Sequence, residues 1–215
     1  MSHLTGKHTG VNKSMQGFTI VELMMATLVF SVILLMVTMG VLQVNRVYYK
    51  GVTEANTQNS ARAIMDTISQ AIQFNGGTVG PLPTNPSPVP GTTYYVCVNN
   101  QQFIYKQGYQ LVSGAPGLHQ TNQAFLQKAI SGACGAPPLP LTGRELLSPN
   151  MRLSNLQVTR IGSSNLYKVQ VTVAFGDDSV MTNPTSLAPV CKGIRAGNQF
   201  CSISSLSTVV EKRIN

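Results

Sequence analysis

Three patterns of apolar and polar positions follow one another along the chain. The 23 residues from Leu23 to Asn45 carry no charge, and their apolar side chains fall on every face of a helix rather than on one. As a helix this run would span roughly 35 Å, more than the hydrocarbon thickness of a bilayer, which predicts a membrane-embedded segment. From Val47 the pattern changes. Val52, Ala55, Ala61, Ile64, Met65, Ile68, Ala71 and Ile72 recur mostly at steps of three and four, the mark of a helix with one face against a domain. Asn75-Gly76-Gly77 after Phe74 supplies a helix stop. A single helix from about Phe18 to Phe74, roughly 85 Å long, is therefore expected, with Gly40 and Gly51 as its weak points and no proline in it.

Beyond the helix the period shortens to two. Thr92 to Val98 and Gln102 to Val112 carry tyrosines and β-branched residues on either side of Asn99-Asn100, a predicted hairpin. Arg152 to Ile161 and Asn165 to Phe175 alternate more regularly about Gly162-Ser163-Ser164, with Leu156 and Val158 on one face and Val169, Val171 and Val173 on the next, and a further strand is expected over Cys201 to Arg213. Leu118 to Ile130 suggests a short helix through Ala124, Phe125 and Lys128. Thr78 to Pro90, with five prolines, must run as an extended surface loop, and Gly132 to Pro149 as irregular chain. The predicted class is α+β: a long amino-terminal helix packed on an antiparallel sheet of about four to six strands, with an irregular insert between them.

Charge sharpens the reading of the amino terminus. Before the apolar run stand Lys7, Lys13, His3 and His8 and no acidic residue, the character of a cytoplasmic leader. The run exceeds the ~7–15 residues of an ordinary export-signal core, and no small-x-small site follows it, so the segment is expected to stay on the mature protein. Glu22 sits at its start, where an acidic side chain within a membrane costs about 2.5–3.5 kcal/mol on insertion scales and marks function by default. The stretch Gly17-Phe18-Thr19-Ile20-Val21-Glu22-Leu23 resembles the class III leader of type IV prepilins. The resemblance implies cleavage after Gly17 by a prepilin peptidase on the cytoplasmic side, and methylation of the new amine on Phe18. It also implies that Glu22 stays as the carboxylate that meets the amino-terminal ammonium of a neighbouring subunit. Two buried opposite charges are tolerable only as a pair. The blander reading is a single-pass anchor whose Glu22 snorkels to the headgroups.

With that resemblance the expected organisation is a cleaved leader over 1–17, a transmembrane or filament-core half-helix over 18–46, and an amphipathic half-helix over 47–75. A Pro/Gly-rich insert with a hairpin follows over 76–150, and an antiparallel sheet over 151–215. The soluble part is then that of the type IV pilin fold. Charged residues make up only 10% of the chain, which suits an extracellular surface better than a cytosolic enzyme. The net charge of +8 falls to +6 without Lys7 and Lys13, and it is spread without a basic run. Contact with DNA or an anionic cell surface is permitted by such an excess, but a solvated surface accounts for it.

Cys97, Cys134, Cys191 and Cys201 all lie in the part expected outside the cell, which reads as two disulfides. Three connectivities are open, of which Cys97–Cys134 with Cys191–Cys201 closes the shortest loops. A zinc site is the competing reading, weakened because there is no C-x-x-C pair and His119 is the one histidine outside the leader; free cysteines are the third. No catalytic constellation emerges: His119 sits in a Gly/Pro-flanked loop without a nucleophile motif. Asp177-Asp178 lacks the ligand number of a calcium site and reads as a solvated turn. There is no phosphate-binding glycine loop. No cofactor, metal or enzyme activity is expected.

Arg62-Ala-Ile-Met-Asp66-Thr-Ile-Ser-Gln70 and the ending Ser207-Thr-Val-Val-Glu-Lys-Arg213-Ile-Asn215 look like W-type minor pilins and the related J-type minor pseudopilins. That resemblance implies a subunit of low copy number, acting in filament initiation or at the tip. Its partners would be other pilin subunits through the helix, the peptidase, the assembly platform, and membrane lipid before assembly. Its location would be the cytoplasmic (inner) membrane first and the extracellular filament afterwards. A pseudopilin of a type II secretion or DNA-uptake system, and a membrane-anchored adhesin that never assembles, are the alternatives.

Overall fold

A computed structural model of the chain describes residues 17–74, 79–80, 89, 91–98, 100–193 and 197–213. The leader up to residue 16, the Asn75-Gly76-Gly77 helix stop, the five prolines of the 78–90 loop and turn residue Asn99 lie outside the described residues. Helix α1 runs Ile20–Phe74. The chain divides after Asn45 into two units. In the first, every described residue is exposed. In the second, α1 buries Thr53, Thr57, Ala61, Ile64, Met65, Ile68, Ala71 and Ile72, a stripe at steps of three and four that presents one face to the core. The two threonines enter it because each hydroxyl donates back to the helix, Thr53 to the Tyr49 carbonyl at 2.8 Å and Thr57 to the Thr53 carbonyl at 2.7 Å.

Among the described residues twelve strands follow, in two five-stranded sheets and one two-stranded ribbon. The first sheet has the order β1 (Val79–Gly80), β2 (Thr93–Val98), β3 (Gln101–Lys106), β6 (Phe125–Ala129), β7 (Arg144–Glu145). The second has the order β12 (Ser202–Glu211), β9 (Leu166–Phe175), β8 (Met151–Arg160), β4 (Gln110–Leu111), β5 (Gln120–Thr121). β10 (Met181–Thr182) and β11 (Val190–Cys191) form the ribbon. All pairs are antiparallel except the two-residue β4–β5 pair. Both large sheets feed one core with the helix: Val96, Phe103 and Phe125 from the first meet Leu156, Val158, Val169, Val171 and Val173 from the second, with Ile64, Ile68 and Ile72 between. Each such fully buried side chain is worth about 1.5–3 kcal/mol relative to exposure. The α+β class, with its long amino-terminal helix and antiparallel sheet, is thus the architecture of the protein.

Two expectations are corrected. The segment 118–130 holds strands β5 and β6 rather than a short helix. Ala124, Leu126, Gln127 and Lys128 favour a helix by propensity, but β3 offers a complete row of backbone partners, pairing Tyr105 with Phe125 through Gln101 with Ala129, and tertiary pairing overrides a weak local preference. The Glu145 carboxylate reinforces the strand by accepting the N–H groups of Ala124 and Phe125, both at 2.8 Å. Burial pushes that carboxyl above the usual range, while its backbone donors pull the other way. The strand expected to run on to Val112 ends at Lys106, because Gly108, at φ 72°, turns the chain and lets Gln110–Leu111 join the second sheet. A side chain at 108 would lie 2.7 Å from the Thr185 Cα. The insert therefore builds one sheet and contributes two short strands to the other.

Cys97 pairs with Cys134, and Cys191 with Cys201. The first bond ties β2 of the first sheet to the loop before β7, and the second ties β11 to the residue before β12; each closure contributes about 2–4 kcal/mol by restricting the unfolded chain.

The loops at one end of the second sheet converge on a charge. Arg152 in β8 is wholly buried. Its guanidinium donates to the carbonyls of Gly108 at 3.2 Å and Gly176 at 3.0 Å, and Nη2 lies 2.8 Å from Asp178 Oδ1, an ion contact rather than an aligned hydrogen bond. Asp178 Oδ2 is 2.9 Å from His119 Nδ1, and Asp177 accepts from Gln110 Nε2 at 2.8 Å. The Asp177-Asp178 turn is thus a tether between three loops rather than only a solvated corner. Asp178→Asn would leave the Arg152 charge buried without its counter-ion. The expected loss is about 1–3 kcal/mol, less than for a fully enclosed pair because the Asp178 side chain is 35% exposed. A lowered thermal midpoint of the full chain in detergent checks it, with His119→Gln expected to cost less than about 1 kcal/mol; an unchanged midpoint for Asp178→Asn would show that the contact is not structural.

Candidate functional site at the start of the amino-terminal helix

Gly17, Phe18 and Thr19 are non-helical and α1 begins at Ile20. Thr19 caps it. Its side-chain oxygen accepts the Glu22 N–H at 3.3 Å, and its carbonyl accepts the Leu23 N–H at 3.2 Å. Thr-x-x-Glu is the capping-box spacing, in which two of the four orphan donors of a helix start can be satisfied. Glu22 stands in the first turn, where the helix dipole favours a carboxylate by about 0.3–1 kcal/mol. That falls well short of the ~2.5–3.5 kcal/mol cost of an acidic group in a membrane, so a further cation or a polar layer has to stabilise it. Thr19 was not singled out above as a site residue, although its spacing to Glu22 ahead of an apolar run is the readable signal of such a cap.

From Phe18 to Asn45 Glu22 is the one residue with an ionisable side chain. The hydroxyls that follow are turned onto their own helix: Thr27 donates to the Met24 carbonyl at 2.9 Å, Ser31 to Thr27 at 2.7 Å and Thr38 to Leu34 at 2.7 Å. Such internal satisfaction is what a solvent without hydrogen-bonding capacity demands. The helix is long and apolar enough to cross a membrane, and its most apolar window is uncovered by the rest of the chain. Phe18 is 81% exposed. At Gly17 nothing lies within 4 Å of where a side chain would start, and its φ is outside the left-handed region. Neither space nor backbone conformation therefore calls for glycine at 17, and its reason lies outside the fold. Gly40 and Gly51 are equally unconfined.

The other candidates do not gather into a reactive site. Among the described residues no Ser, Thr or Cys side chain is hydrogen-bonded to the His119 ring, which meets Asp178, and no group of three or more His, Cys, Asp or Glu side chains could hold a metal ion. The four cysteines lie in the second unit, paired with one another.

Residues 12–38 match the family model described as the prokaryotic N-terminal methylation motif. The match is consistent with the prepilin-like character of the leader and supports a type IV pilin- or pseudopilin-like protein, and the apolar amino-terminal helix suggests membrane anchoring. No curated protein and no solved structure matched the chain.

The cap geometry has a measurable consequence. Thr19→Val removes the acceptor for the first-turn N–H while keeping size and branching, and is expected to destabilise the helix start by about 1 kcal/mol. Faster amide exchange confined to residues 20–23 of the chain in micelles would show it; unchanged protection there would mean the hydroxyl is not the cap.

Proposed function

We propose that the chain is a minor subunit of a type IV pilus. A prepilin peptidase cuts it after Gly17, the amine of Phe18 is methylated, and the mature chain enters a filament through residues Phe18 to about Val44, acting in initiation or at the tip. The observation that supports this reading is the juxtaposition at the helix start: a methylation-motif match over residues 12–38, one first-turn carboxylate and an apolar helix with its large apolar side chains exposed.

The mechanism follows from the solvents available to that helix. Before assembly it lies in lipid; in a filament it exchanges lipid for the packed surfaces of like helices, a transfer with little hydrophobic gain in which packing and polar pairing decide the geometry. Cleavage at Gly17 creates an ammonium at Phe18. In a helical array the ammonium of one subunit meets Glu22 of its neighbour, each charge tolerable there only because of the other. That pair sets the axial register. The assembly platform and its ATPases supply the work from other proteins. The minor role is supported by the absence of proline from the membrane half of the helix, where major pilins often carry one to let the helix loosen; here Gly40 alone serves. The short resemblances over residues 62–70 and 207–215 point the same way.

Two measurements test this. Intact-mass and amino-terminal analysis of native membranes and sheared filaments is expected to find a chain that begins at methylated Phe18, at low abundance in filaments; an uncut chain confined to the membrane would remove the reading. Glu22→Ala is expected to be cleaved normally yet to enter filaments at least about tenfold less, the loss that corresponds to one charge-assisted hydrogen bond. Normal incorporation of that variant would sink the pairing.

A further inference from the structure

A second aromatic group accompanies the point where the helix leaves its apolar run. Tyr48 and Tyr49 follow Asn45 by three and four residues, and four residues of helix rise about 6 Å, which places Tyr49 in the headgroup layer if the run up to Asn45 spans the hydrocarbon. Even a fully extended chain could take it no further than about 14 Å. Phe200 meets Tyr49 at 6.0 Å between ring centroids, and Tyr48 meets Tyr49 at 5.9 Å. None of the three is covered: Tyr48 is 66% and Phe200 47% exposed, and Val190, whose side chain lines the same groove as Lys50, is 61% exposed.

Phe200 and Val190 each stand beside a bonded cysteine. Cys201, next in sequence, is bonded to Cys191, next to Val190. The Phe200 N–H donates to the Gly197 carbonyl at 2.9 Å, and its own carbonyl packs against Gly176 so closely that a side chain there would sit 2.7 Å away. Phe200, packed on Tyr49 by one side only, and Val190 are thus apolar side chains left in contact with water. The charges among the described residues here are of both signs: Lys50 in a pair with Glu54 at 3.3 Å, Lys192, which donates to the Ser179 carbonyl at 2.9 Å, and Asp177, which lines the same hollow as Phe200.

We propose that Phe200 and Val190 form a second membrane contact, entering the outer headgroup layer of the same bilayer that holds residues 23–45, alongside Tyr48 and Tyr49. The partner is a lipid surface, selected by continuity with the span and by aromatic rings that suit the interface. The contact holds the soluble domain on the membrane before assembly and is broken on extraction into a filament. It rests on the membrane reading of residues 23–45, and the test separates the two.

The chain contains no tryptophan, so one introduced residue reports alone. Full-length protein carrying Phe200→Trp, and separately Tyr48→Trp, is reconstituted into phosphatidylcholine and phosphatidylglycerol vesicles in which the lipids are brominated close to the headgroup. Both variants are expected to lose most of their emission to the brominated lipid, to emit at shorter wavelength than a water-exposed indole, and to resist aqueous acrylamide. If Tyr48→Trp is quenched by the lipid while Phe200→Trp is quenched only by acrylamide, the second contact is overturned and the span stands. If neither is quenched by lipid, both fall. Should Phe200→Trp fail to form the Cys191–Cys201 bond, as mass analysis would show, Val190→Trp reads the same face with the same two outcomes.

Discussion

A helix that is apolar on every face has no stable place in water, and the rest of this molecule is arranged around that fact. Nineteen large apolar side chains between Phe18 and Val44 are exposed. At about 1.5–3 kcal/mol for full burial of each, covering them is worth some tens of kcal/mol, against which the ~2.5–3.5 kcal/mol of holding Glu22 near a membrane is small. The segment must therefore be covered by lipid or by other helices, and Glu22 cannot prevent this; it can only choose the depth and the neighbour. The hydroxyls of Thr27, Ser31 and Thr38 are all turned onto their own helix and so make no competing polar demand.

The second unit obeys different physics with the same helix. Past Arg46 the apolar residues contract to a stripe, and both five-stranded sheets close on it. The two disulfides tie neighbouring chain to the sheets, one between the first sheet and a loop with little regular structure, the other at the ribbon near the start of β12. The fully buried Arg152 does similar work without a covalent bond, drawing carbonyls from Gly108 and Gly176 and a carboxylate from Asp178 into one place.

How much of this was legible in the chain depends on the range of the interaction concerned. The helix was legible because its signals are local: an uncharged run, then a stripe, then a stop after Phe74. β8 and β9 were legible for the same reason, since Leu156/Val158 and Val169/Val171/Val173 alternate cleanly about a short turn. β6 was not, because Ala124 to Lys128 has helical propensity and becomes a strand only through pairing with β3. The partition into two sheets turns on Gly108, whose left-handed conformation and close approach to Thr185 no local pattern announces. At the helix start, Gly17, Phe18 and Glu22 stood out by order and charge, whereas Thr19 went unremarked although the Thr-x-x-Glu spacing was present. The His119–Asp178–Arg152 tether joins positions tens of residues apart, and each residue looks like an ordinary surface group when taken alone.

Glu22 carries two demands that act at different times. Within its own chain it is a first-turn residue whose N–H is taken by Thr19 and whose charge suits the helix dipole. Between chains it is the group on which a new ammonium would settle. The two are compatible because the cap uses the Glu22 backbone and the Thr19 hydroxyl, leaving the carboxylate without a hydrogen-bond partner of its own among the described residues. Before cleavage the leader carries its cations at Lys7 and Lys13, ten or more residues along the chain from Phe18 in one case and five in the other. After the proposed cleavage a cation would stand at Phe18 itself, four residues from Glu22, with no leader to follow it. Processing at Gly17 would thus convert a helix tethered to the cytoplasmic face into one whose remaining end is small, cationic and matched to a carboxylate at the same depth in a neighbouring subunit.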